Sequence, residues 1–256
     1  MHERICEGSC TVITIISAWY NEEFLAPLFL RHYDFADRII IMLDESTNDG
    51  TINEIKKFMA QDFFVSFRKL KMPNGMDDQL KQRQVNDQYG QIKDGWVIEV
   101  DADEFIKIPE MGMHAYLNEV KADVVKLEFW QMYQHKSEGP LNNKDPVFEQ
   151  RKYGKKNGYE RWNKPCVVRA GKGIVWTVGH HEINANKNQF HDKMIPAAHW
   201  YMADIGLAID RRIKGRKNRM SKENYINTLS AHNFNITVQK IINECEANQD
   251  CQQVFV

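Results

Sequence analysis

Three acidic residues within four positions, Asp101, Asp103 and Glu104, follow the short apolar run "WVIEV" at 96–100. An apolar run of this length, preceded by Gly95, is typical of a buried strand, and the acids would then lie at its carboxyl end. In open α/β sheets, ligands bind at that edge. Three carboxylates repel one another there unless a cation lies among them, and hard divalent ions prefer such oxygen ligands. The segment therefore indicates a metal site; the alternative is a solvated acidic turn.

Two histidine-containing stretches could supply an imidazole to such a metal. The first is "GHH", with His180 and His181, and the second is "AAHWYM", with His199. Adjacent residues of a strand point to opposite faces, so at most one of the pair would reach the ion, and we favour His181. An imidazole ligand would favour Mn²⁺ over Mg²⁺. The alternative at each place is a hydrogen-bonded structural histidine, and His199 could also touch a bound phosphate.

Strands and helices alternate through the first hundred residues. Apolar runs at 12–16 and 39–43 predict buried strands, each followed by polar residues and a helix, and "FFVSF" and "WVIEV" predict two more strands. Thr51 is expected to cap the second helix. The alternation predicts a parallel sheet built from right-handed crossovers. Asp44 ends the second strand, so we expect it to share one sheet edge with Asp101.

The pattern changes after residue 123. A strand of mixed polarity precedes a long polar stretch at 141–165, and long stretches of this kind are often binding loops or lids. Residues 166–183 predict two strands about a glycine-containing turn. The stretch "DRRIKGRKNRM" at 210–220 is strongly basic. No linker is evident, so we expect one domain with a functional flank.

Size and composition exclude several classes of protein. The chain has 256 residues, of which 43% are hydrophobic and 27% charged, and a formal net charge of -1. These values are ordinary for a soluble globular protein, and the near-zero charge argues against nucleic-acid binding. No stretch reaches the roughly 18 apolar residues of a membrane span, and the amino terminus has no signal-peptide core. The five cysteines are scattered without a C-x-x-C pair, which predicts reduced thiols in a cytoplasmic protein.

Five segments occur in an order that resembles the family 2 type of glycosyltransferase with the GT-A fold. They are "WYNEEF", "LDESTNDGT", "QRQVN", "WVIEVDADEF" and "GHH", and the likeness is to the bacterial branch with a W-x-x-x-x-D-x-D-E-F segment. The resemblance implies an α/β fold with a Rossmann-like, nucleotide-binding mixed sheet flanked by helices, and a C-terminal helical and loop flank. Within one domain at 1–256, the nucleotide-binding half would cover about 10–110, and the acceptor-binding flank about 111–256.

The resemblance assigns roles to residues at the sheet edge. It implies that a nucleotide-sugar contacts Ala18, Trp19, Asn21, Glu22, Asp44, Arg83, Asp101, Ala102 and Asp103. Trp19 would stack on the base or pack in the core, Asp44 would bind the base or ribose, and Arg83 would approach the base or phosphates. Asp101 would lie toward the ribose and sugar. Asp103 would bind Mn²⁺ or Mg²⁺, with His181 as the imidazole ligand.

The reaction implied by the family is transfer of a sugar from a nucleoside-diphosphate donor, with inversion. A divalent ion would stabilise the charge that develops on the leaving diphosphate. A carboxylate must also take the proton of the acceptor hydroxyl. The chain lacks a clear Glu-Asp pair where the family's base lies, and the candidates are Glu160, Asp145, Glu128 and Glu182. We select Glu160 because it lies in the polar segment beside aromatic residues.

The basic stretch allows three interpretations. It could be a solvated helix face, a patch that binds anionic lipid, or a flap that closes over the donor diphosphate. Few apolar residues interrupt it, which argues against an inserted amphipathic helix. We favour the flap, with Arg212 and Arg216 on one face if the segment is helical.

The expected partners follow from the resemblance. They are a nucleotide-sugar donor and a glycan or lipid-linked acceptor in the synthesis of bacterial surface polysaccharide, such as capsule or lipopolysaccharide, with peripheral contact to the inner face of the cell membrane. Two other functions remain open. A metal-dependent phosphohydrolase would also cluster acids and histidines, but the D-x-D lies mid-chain and lacks the residue that follows the nucleophilic aspartate in common aspartyl-phosphate hydrolases. A non-catalytic carbohydrate-binding protein would not need acids and metal-type ligands along one sheet edge.

Overall fold

The computed structural model describes residues 11–60, 65–156, 163–220 and 237–255. It has the predicted α/β class, with one mixed sheet flanked by helices in a Rossmann-like arrangement. The strands are β1 (Ile13–Trp19), β2 (Arg38–Asp44), β3 (Val65–Leu70), β4 (Trp96–Glu99), β5 (Glu104–Ile106), β6 (Val124–Tyr133), β7 (Tyr153–Lys156), β8 (Asn163–Arg169), β9 (Ile195–Met202) and β10 (Gln252–Gln253). The helices are α1 (Ala26–His32), α2 (Thr51–Met59), α3 (Asp78–Tyr89), α4 (Met113–Glu119), α5 (Val147–Gln150), α6 (Ile205–Ile209) and α7 (Val238–Glu246).

The parallel part of the sheet contains β3, β2, β1 and β4, in that order. Ile15 of β1 lies beside Ile39 of β2 on one side and Ile98 of β4 on the other. Apolar side chains on both faces suit a parallel sheet that helices cover on each side. The carboxyl ends of β1, β2 and β4 therefore meet at one edge, as the sequence predicts.

Helices cover both faces of this parallel part. On one face, Ile15 packs in the same core as Phe29 of α1 and Ile55 of α2. On the other face, Ile16 packs in a second core that includes Val85 of α3. Neighbouring residues of β1 thus serve opposite cores because side chains alternate along a strand.

The second half of the sheet is mixed. β4 pairs antiparallel with β8, which connects the parallel part to β6, β7 and β10. β9 runs parallel to β6 and antiparallel to β5. His199 of β9 therefore lies beside Glu104 of β5 and Gln131 of β6. Backbone pairing alone brings the residues that follow the D-x-D next to this histidine.

Two local predictions are wrong. Thr51 is the first residue of α2 and Gly50 is its N-cap, so the Thr51 side chain does not cap the helix; its hydroxyl accepts a hydrogen bond from the Glu22 backbone at 2.7 Å. Within the described chain, the stretch after β8 forms no second strand. Val178–His180 is a 3₁₀ turn, in which Gly179 has a φ of 75°. A positive φ interrupts extended backbone and is favourable for glycine.

The basic stretch is helical and follows α6. Asp204 caps α6 by accepting a hydrogen bond from the Leu207 backbone at 3.0 Å. The helix continues as a π-helical segment, Asp210–Arg216, and a 3₁₀ turn, Lys217–Arg219. Residues 210–220 are called the basic segment below. None of the described helices has the length and hydropathy required to cross a bilayer.

Candidate functional site

A cleft of about 1270 Å³ lies at the carboxyl edge of the parallel strands. Its inner wall comes from the ends of β1 and β2 and from the D-x-D after β4. The basic segment forms the facing wall, and β6 and β9 supply a third side. This is the place where an open α/β sheet binds ligands.

Asp103 lies on the floor of the cleft, buried between the Arg211 guanidinium and the His199 imidazole. Its carboxylate is paired with the guanidinium of Arg211 from the basic segment, and its Oδ2 lies 3.3 Å from Nε2 of His199. Burial alone would raise the pKa of Asp103, but Arg211 and His199 hold it well below its usual range. Asp103 is therefore ionised at neutral pH.

Arg211 also binds Glu22 on the loop after β1, with Nη2 3.0 Å from Oε1. Burial raises the pKa of Glu22 to about 8, even though Arg211 acts in the opposite direction. At neutral pH, Arg211 therefore carries a positive charge, Asp103 carries a negative charge, and Glu22 is largely protonated. The charges of these three side chains nearly cancel.

Asp101 and Glu104 lie in a second cluster at the edge of the cleft, where Asp101 is half-buried and Glu104 is fully buried. Asp101 is 3.4 Å from Nζ of Lys81 and 3.5 Å from Nε2 of His180, while Glu104 is 2.5 Å from Nζ of Lys164. Ligand atoms of Asp101, Glu104 and His180 lie within 4.8 Å of one another, close enough for a metal ion. Two ammonium groups already balance the acids, so a divalent cation would be repelled at this cluster.

His180 is part of the same cluster. Its Nδ1 is 2.9 Å from Oε1 of Glu99, a buried residue of β4. Burial would lower the pKa of His180, but the Glu99 and Asp101 carboxylates raise it to about 9. A protonated imidazole has no lone pair for a metal. His180 therefore acts here as a cation that fixes Asp101.

Asp44 lies at the other end of the cleft, after β2. Its Oδ2 accepts a hydrogen bond from Nη2 of Arg219 at 2.6 Å, and its Oδ1 accepts from the Ser46 hydroxyl at 2.6 Å. The guanidinium of Arg219 stacks on Tyr20, 3.3 Å from the ring centre. A carboxylate, an aromatic ring and a guanidinium therefore meet within one small region.

Most of the predicted site residues line this cleft. They are Ala18, Trp19, Asn21, Glu22, Asp44, Asp101, Asp103, His181, Arg212 and Arg216. Asn21 has a left-handed backbone with φ 51°, and its side-chain amide exchanges two hydrogen bonds with Asn48, at 2.8 and 2.9 Å. This contact joins the loops after β1 and β2.

Two predicted nucleotide contacts lie elsewhere, and a third, Trp19, borders the cleft without presenting its ring to it. Arg83 is exposed and is absent from the described lining of the cleft, and Ala102 is buried in the core. Trp19 borders the cleft, but its ring is 1% exposed, packs edge-on against Phe29 and donates a hydrogen bond to the Ser17 hydroxyl at 2.7 Å. Its indole cannot stack on a base in this conformation. The partly exposed aromatic ring next to it, which lines the cleft, is that of Tyr20.

The position of Arg83 follows from the phase of α3. The buried residues of this helix are Asp78, Gln82, Val85 and Tyr89. Their spacing of three to four positions defines one inward face, and Arg83 lies outside it. Lys81, three residues after Asp78, lies on the cleft side and reaches Asp101.

The two predicted histidines and the two predicted arginines make contacts that differ from those expected. His181 lines the cleft, but the metal-type cluster of the described residues contains His180, and the imidazole beside Asp103 is that of His199. Arg212 lies 3.3 Å from Glu244 and stacks on Tyr201 at one side of the cleft, while Arg216 binds Asp78 at 3.1 Å. The assignment of the metal to Asp103 and His181 remains a prediction. Glu160, the selected catalytic base, lies outside the described residues.

Several residues of the site carried little or no signal in the sequence. Lys81 follows from the helix phase, but Lys164 and Tyr20 stand alone among ordinary neighbours. Arg211 and Arg219 belong to the basic segment, where a regular α-helix predicts a different face. The wider π-helical turn changes the directions of the side chains.

Comparison with known proteins gives structural likeness only. No protein-family model matches the chain, and no curated protein matches it in sequence. The structure of S. aureus TarS is 12% identical, with 93% of this chain and 43% of that chain covered and a TM-score of 0.46. TarS 1–349 in complex with UDP is 14% identical, with 92% and 70% covered and a TM-score of 0.43. The chain thus spans less than half the length of the first structure.

Proposed function

We propose that the protein is a metal-dependent glycosyltransferase of the GT-A type, which transfers a sugar from a nucleoside-diphosphate donor. One observation carries the proposal. Asp44 and Asp103, at the ends of separate strands, face Arg219 and Arg211 of a single helical segment across one cleft. A metal-bound diphosphate needs both kinds of side chain: carboxylates to bind the metal and guanidiniums to bind the phosphates.

The nucleoside would occupy the Asp44 end of the cleft. The Tyr20 ring offers a surface on which a base can stack, and the Asp44 carboxylate can accept hydrogen bonds from a base or a ribose. Arg219 now covers both groups, so it must move aside as the nucleoside enters. The diphosphate would then give its guanidinium a new anionic partner.

Asp103 and His199 fit a divalent metal better than the Asp101 cluster does. Their facing atoms are 3.3 Å apart, both residues line the cleft, and a single carboxylate with an imidazole suits Mn²⁺. Arg211 occupies the same carboxylate, and like charges repel, so metal and guanidinium would exchange there. When bound, the metal would stabilise the negative charge on the leaving diphosphate as a Lewis acid.

The side chains of the basic segment would complete the leaving-group site. Arg211 is held between Asp103 and Glu22 without a ligand, and Arg216 is held by Asp78. Released from Asp103, Arg211 would bind the diphosphate oxygens as their charge grows. The carboxylate that accepts the acceptor's proton remains our sequence-based assignment to Glu160. We propose an inverting reaction on a glycan or lipid-linked acceptor of bacterial surface polysaccharide.

The proposal is tested by incubating the protein with a panel of labelled nucleoside-diphosphate sugars. We expect slow donor hydrolysis or transfer that requires Mn²⁺ or Mg²⁺ and is abolished by chelation and by Asp103→Asn. Phosphate release from simple phosphomonoesters, without cleavage of any nucleotide-sugar, would instead support a phosphohydrolase. Glycan binding without nucleotide binding would support a carbohydrate-binding protein.

A further inference from the structure

Gln131 lies directly beside His199 in the structure. The two residues are partners in the parallel pair of β6 and β9, both line the cleft, and Gln131 is 5% exposed. The amide Nε2 of Gln131 is 3.0 Å from Nδ1 of His199, and the other ring nitrogen faces Asp103 at 3.3 Å. One imidazole thus connects the amide with the carboxylate proposed to bind the metal.

The Gln131 amide also has an unused acceptor. Its Oε1 is buried and has no hydrogen-bond partner among the described residues. A buried acceptor without a partner is destabilising, because no hydrogen bond compensates for its loss of water. The Gln131 oxygen could therefore accept a hydrogen bond in a second state of the site, in which a neighbouring residue carries a proton that it lacks here.

Metal binding at His199 would create that donor. A neutral imidazole has one donor and one acceptor nitrogen. In the present contact the Gln131 amide donates to Nδ1, so the ring proton lies on Nε2 and points at Asp103. A metal on Nε2 requires the lone pair there, which moves the proton to Nδ1. Half a turn of the amide about its Cγ–Cδ bond would place Oε1 where it accepts that proton.

We infer that Gln131 is a positioning residue that selects the tautomer of His199, with its amide reversed in the metal-bound state. The inference rests on the proposed function, because it needs a metal at Asp103 and His199. Partners of the second ring nitrogen fix the orientation and tautomer of metal-binding histidines in general. Here the strand pairing holds the amide in reach in both states.

The test compares Mn²⁺ binding to the full chain with Gln131→Met and Gln131→Glu, by calorimetry and electron paramagnetic resonance. The Met variant keeps the length of the side chain without an acceptor, so we expect Mn²⁺ affinity to fall by about 10- to 100-fold. The Glu variant keeps an acceptor oxygen for Nδ1–H, so affinity should stay within about threefold of wild type. Mg²⁺ binding should change less, since Mg²⁺ depends less on imidazole.

Gln84→Met is the matched control, because Gln84 of α3 binds the Lys71 backbone and is not among the described residues of the cleft. Wild-type affinity in the Met variant would overturn the inference, and so would an equal loss in the Met and Glu variants. If the Met variant does not fold, ¹⁵N spectra of the wild-type histidines decide. The His199 proton should lie on Nε2 in the free protein and on Nδ1 with Cd²⁺, and an unchanged tautomer would contradict the proposal.

The outcomes separate this inference from the proposed function. If the wild-type chain binds Mn²⁺ and hydrolyses a nucleotide-sugar while the Gln131 variants behave identically, only the role of Gln131 is wrong. If the wild-type chain binds no Mn²⁺ at all, the proposed metal site is wrong and the role of Gln131 is wrong with it.

Discussion

At the scale of single residues, each acid at the sheet edge is paired with a cation from another element. Asp103 is paired with Arg211, Asp44 with Arg219 and Asp101 with Lys81. The repulsion expected among these carboxylates is therefore relieved by the protein itself. A ligand must exchange with these cations, and each exchange can be tested separately.

The first prediction concerns Asp103→Asn. An amide cannot replace the carboxylate charge, so Mn²⁺ affinity should fall at least about tenfold, and metal-dependent donor turnover by 100-fold or more. The backbone oxygen of Asp103 accepts from Trp200 in either case, so the fold should persist. Metal titration and far-ultraviolet circular dichroism measure the two effects. Near-normal turnover at limiting Mn²⁺ would contradict the assignment.

The second prediction compares Asp44→Ala with Arg83→Ala. Asp44 lines the cleft and Arg83 is exposed outside it, so only the first should weaken nucleoside-diphosphate binding. Loss of a charged hydrogen-bond partner corresponds to about 10- to 100-fold in Kd. Calorimetric titration with a nucleoside diphosphate and Mn²⁺ gives both values. Equal losses in the two variants would mean that the nucleotide lies elsewhere.

At the scale of elements, the basic segment forms the side of the cleft that faces the strand ends. Arg211 and Arg219 pair with Asp103 and Asp44 at the strand ends. Arg212 instead packs on Tyr201 and binds Glu244. A predicted regular helix would have put Arg212 and Arg216 in the same role. The phase of α3 could be predicted from its buried stripe, but the phase of the basic segment could not, because nothing in the sequence marks the π-helical turn.

The third prediction compares Arg211→Ala with Arg212→Ala. Without Arg211, the competing cation leaves Asp103, so Mn²⁺ alone should bind more tightly by several-fold. Nucleoside-diphosphate binding in saturating Mn²⁺ should weaken by about tenfold, because a phosphate partner is lost. Arg212→Ala should lower thermal stability and leave both affinities unchanged.

The lipid alternative for the basic segment is tested with the same variants. If the segment acts as a flap, binding to anionic vesicles should differ little between wild type and Arg211→Ala. Normal kinetics on a soluble acceptor together with lost vesicle binding would assign the segment to the membrane surface instead.

The fourth prediction concerns the packing of α1 against β5. His32 of α1 donates to the Ile106 carbonyl at 2.9 Å, and burial lowers its pKa to about 4. Its unfolded pKa is near 6.5, so the unfolded chain binds the extra proton first. Stability should therefore be full above pH 6.5 and fall by up to about 3 kcal/mol as the pH falls to 4. Denaturant unfolding at several pH values measures how steeply the free energy of unfolding depends on pH. This dependence should be weaker in His32→Gln.

At the scale of the whole molecule, the cleft lies between the parallel half and the flank that carries the basic segment. A nucleoside diphosphate with Mn²⁺ would contact both, so it should raise the unfolding free energy by about 2.7 kcal/mol at 100 times its Kd. Mn²⁺ alone should stabilise less, since Arg211 competes for Asp103. Thermal shift with each ligand separately and together checks this fifth prediction. If the thermal shifts from Mn²⁺ and from the nucleoside diphosphate simply add, the proposed replacement of Arg211 by Mn²⁺ at Asp103 is contradicted.

The sequence predicts the parallel half better than the flank for a physical reason. Runs such as Ile39–Ile41 are apolar on every position because the strand is buried on both faces, and such runs are visible without a structure. The contacts of His199 and Lys164 depend on β9 and β8 crossing to the D-x-D from distant parts of the chain. No local pattern records that pairing.

The position of β4 has a consequence for synthesis of the chain. β4 is complete at Glu99, but one of its edges pairs with β8, which ends only at Arg169. At about 5–20 residues per second, roughly 4 to 14 s of translation separate the two. During that interval the nascent chain would present an apolar strand with unsatisfied backbone groups, the kind of edge to which chaperones and other unfinished chains bind.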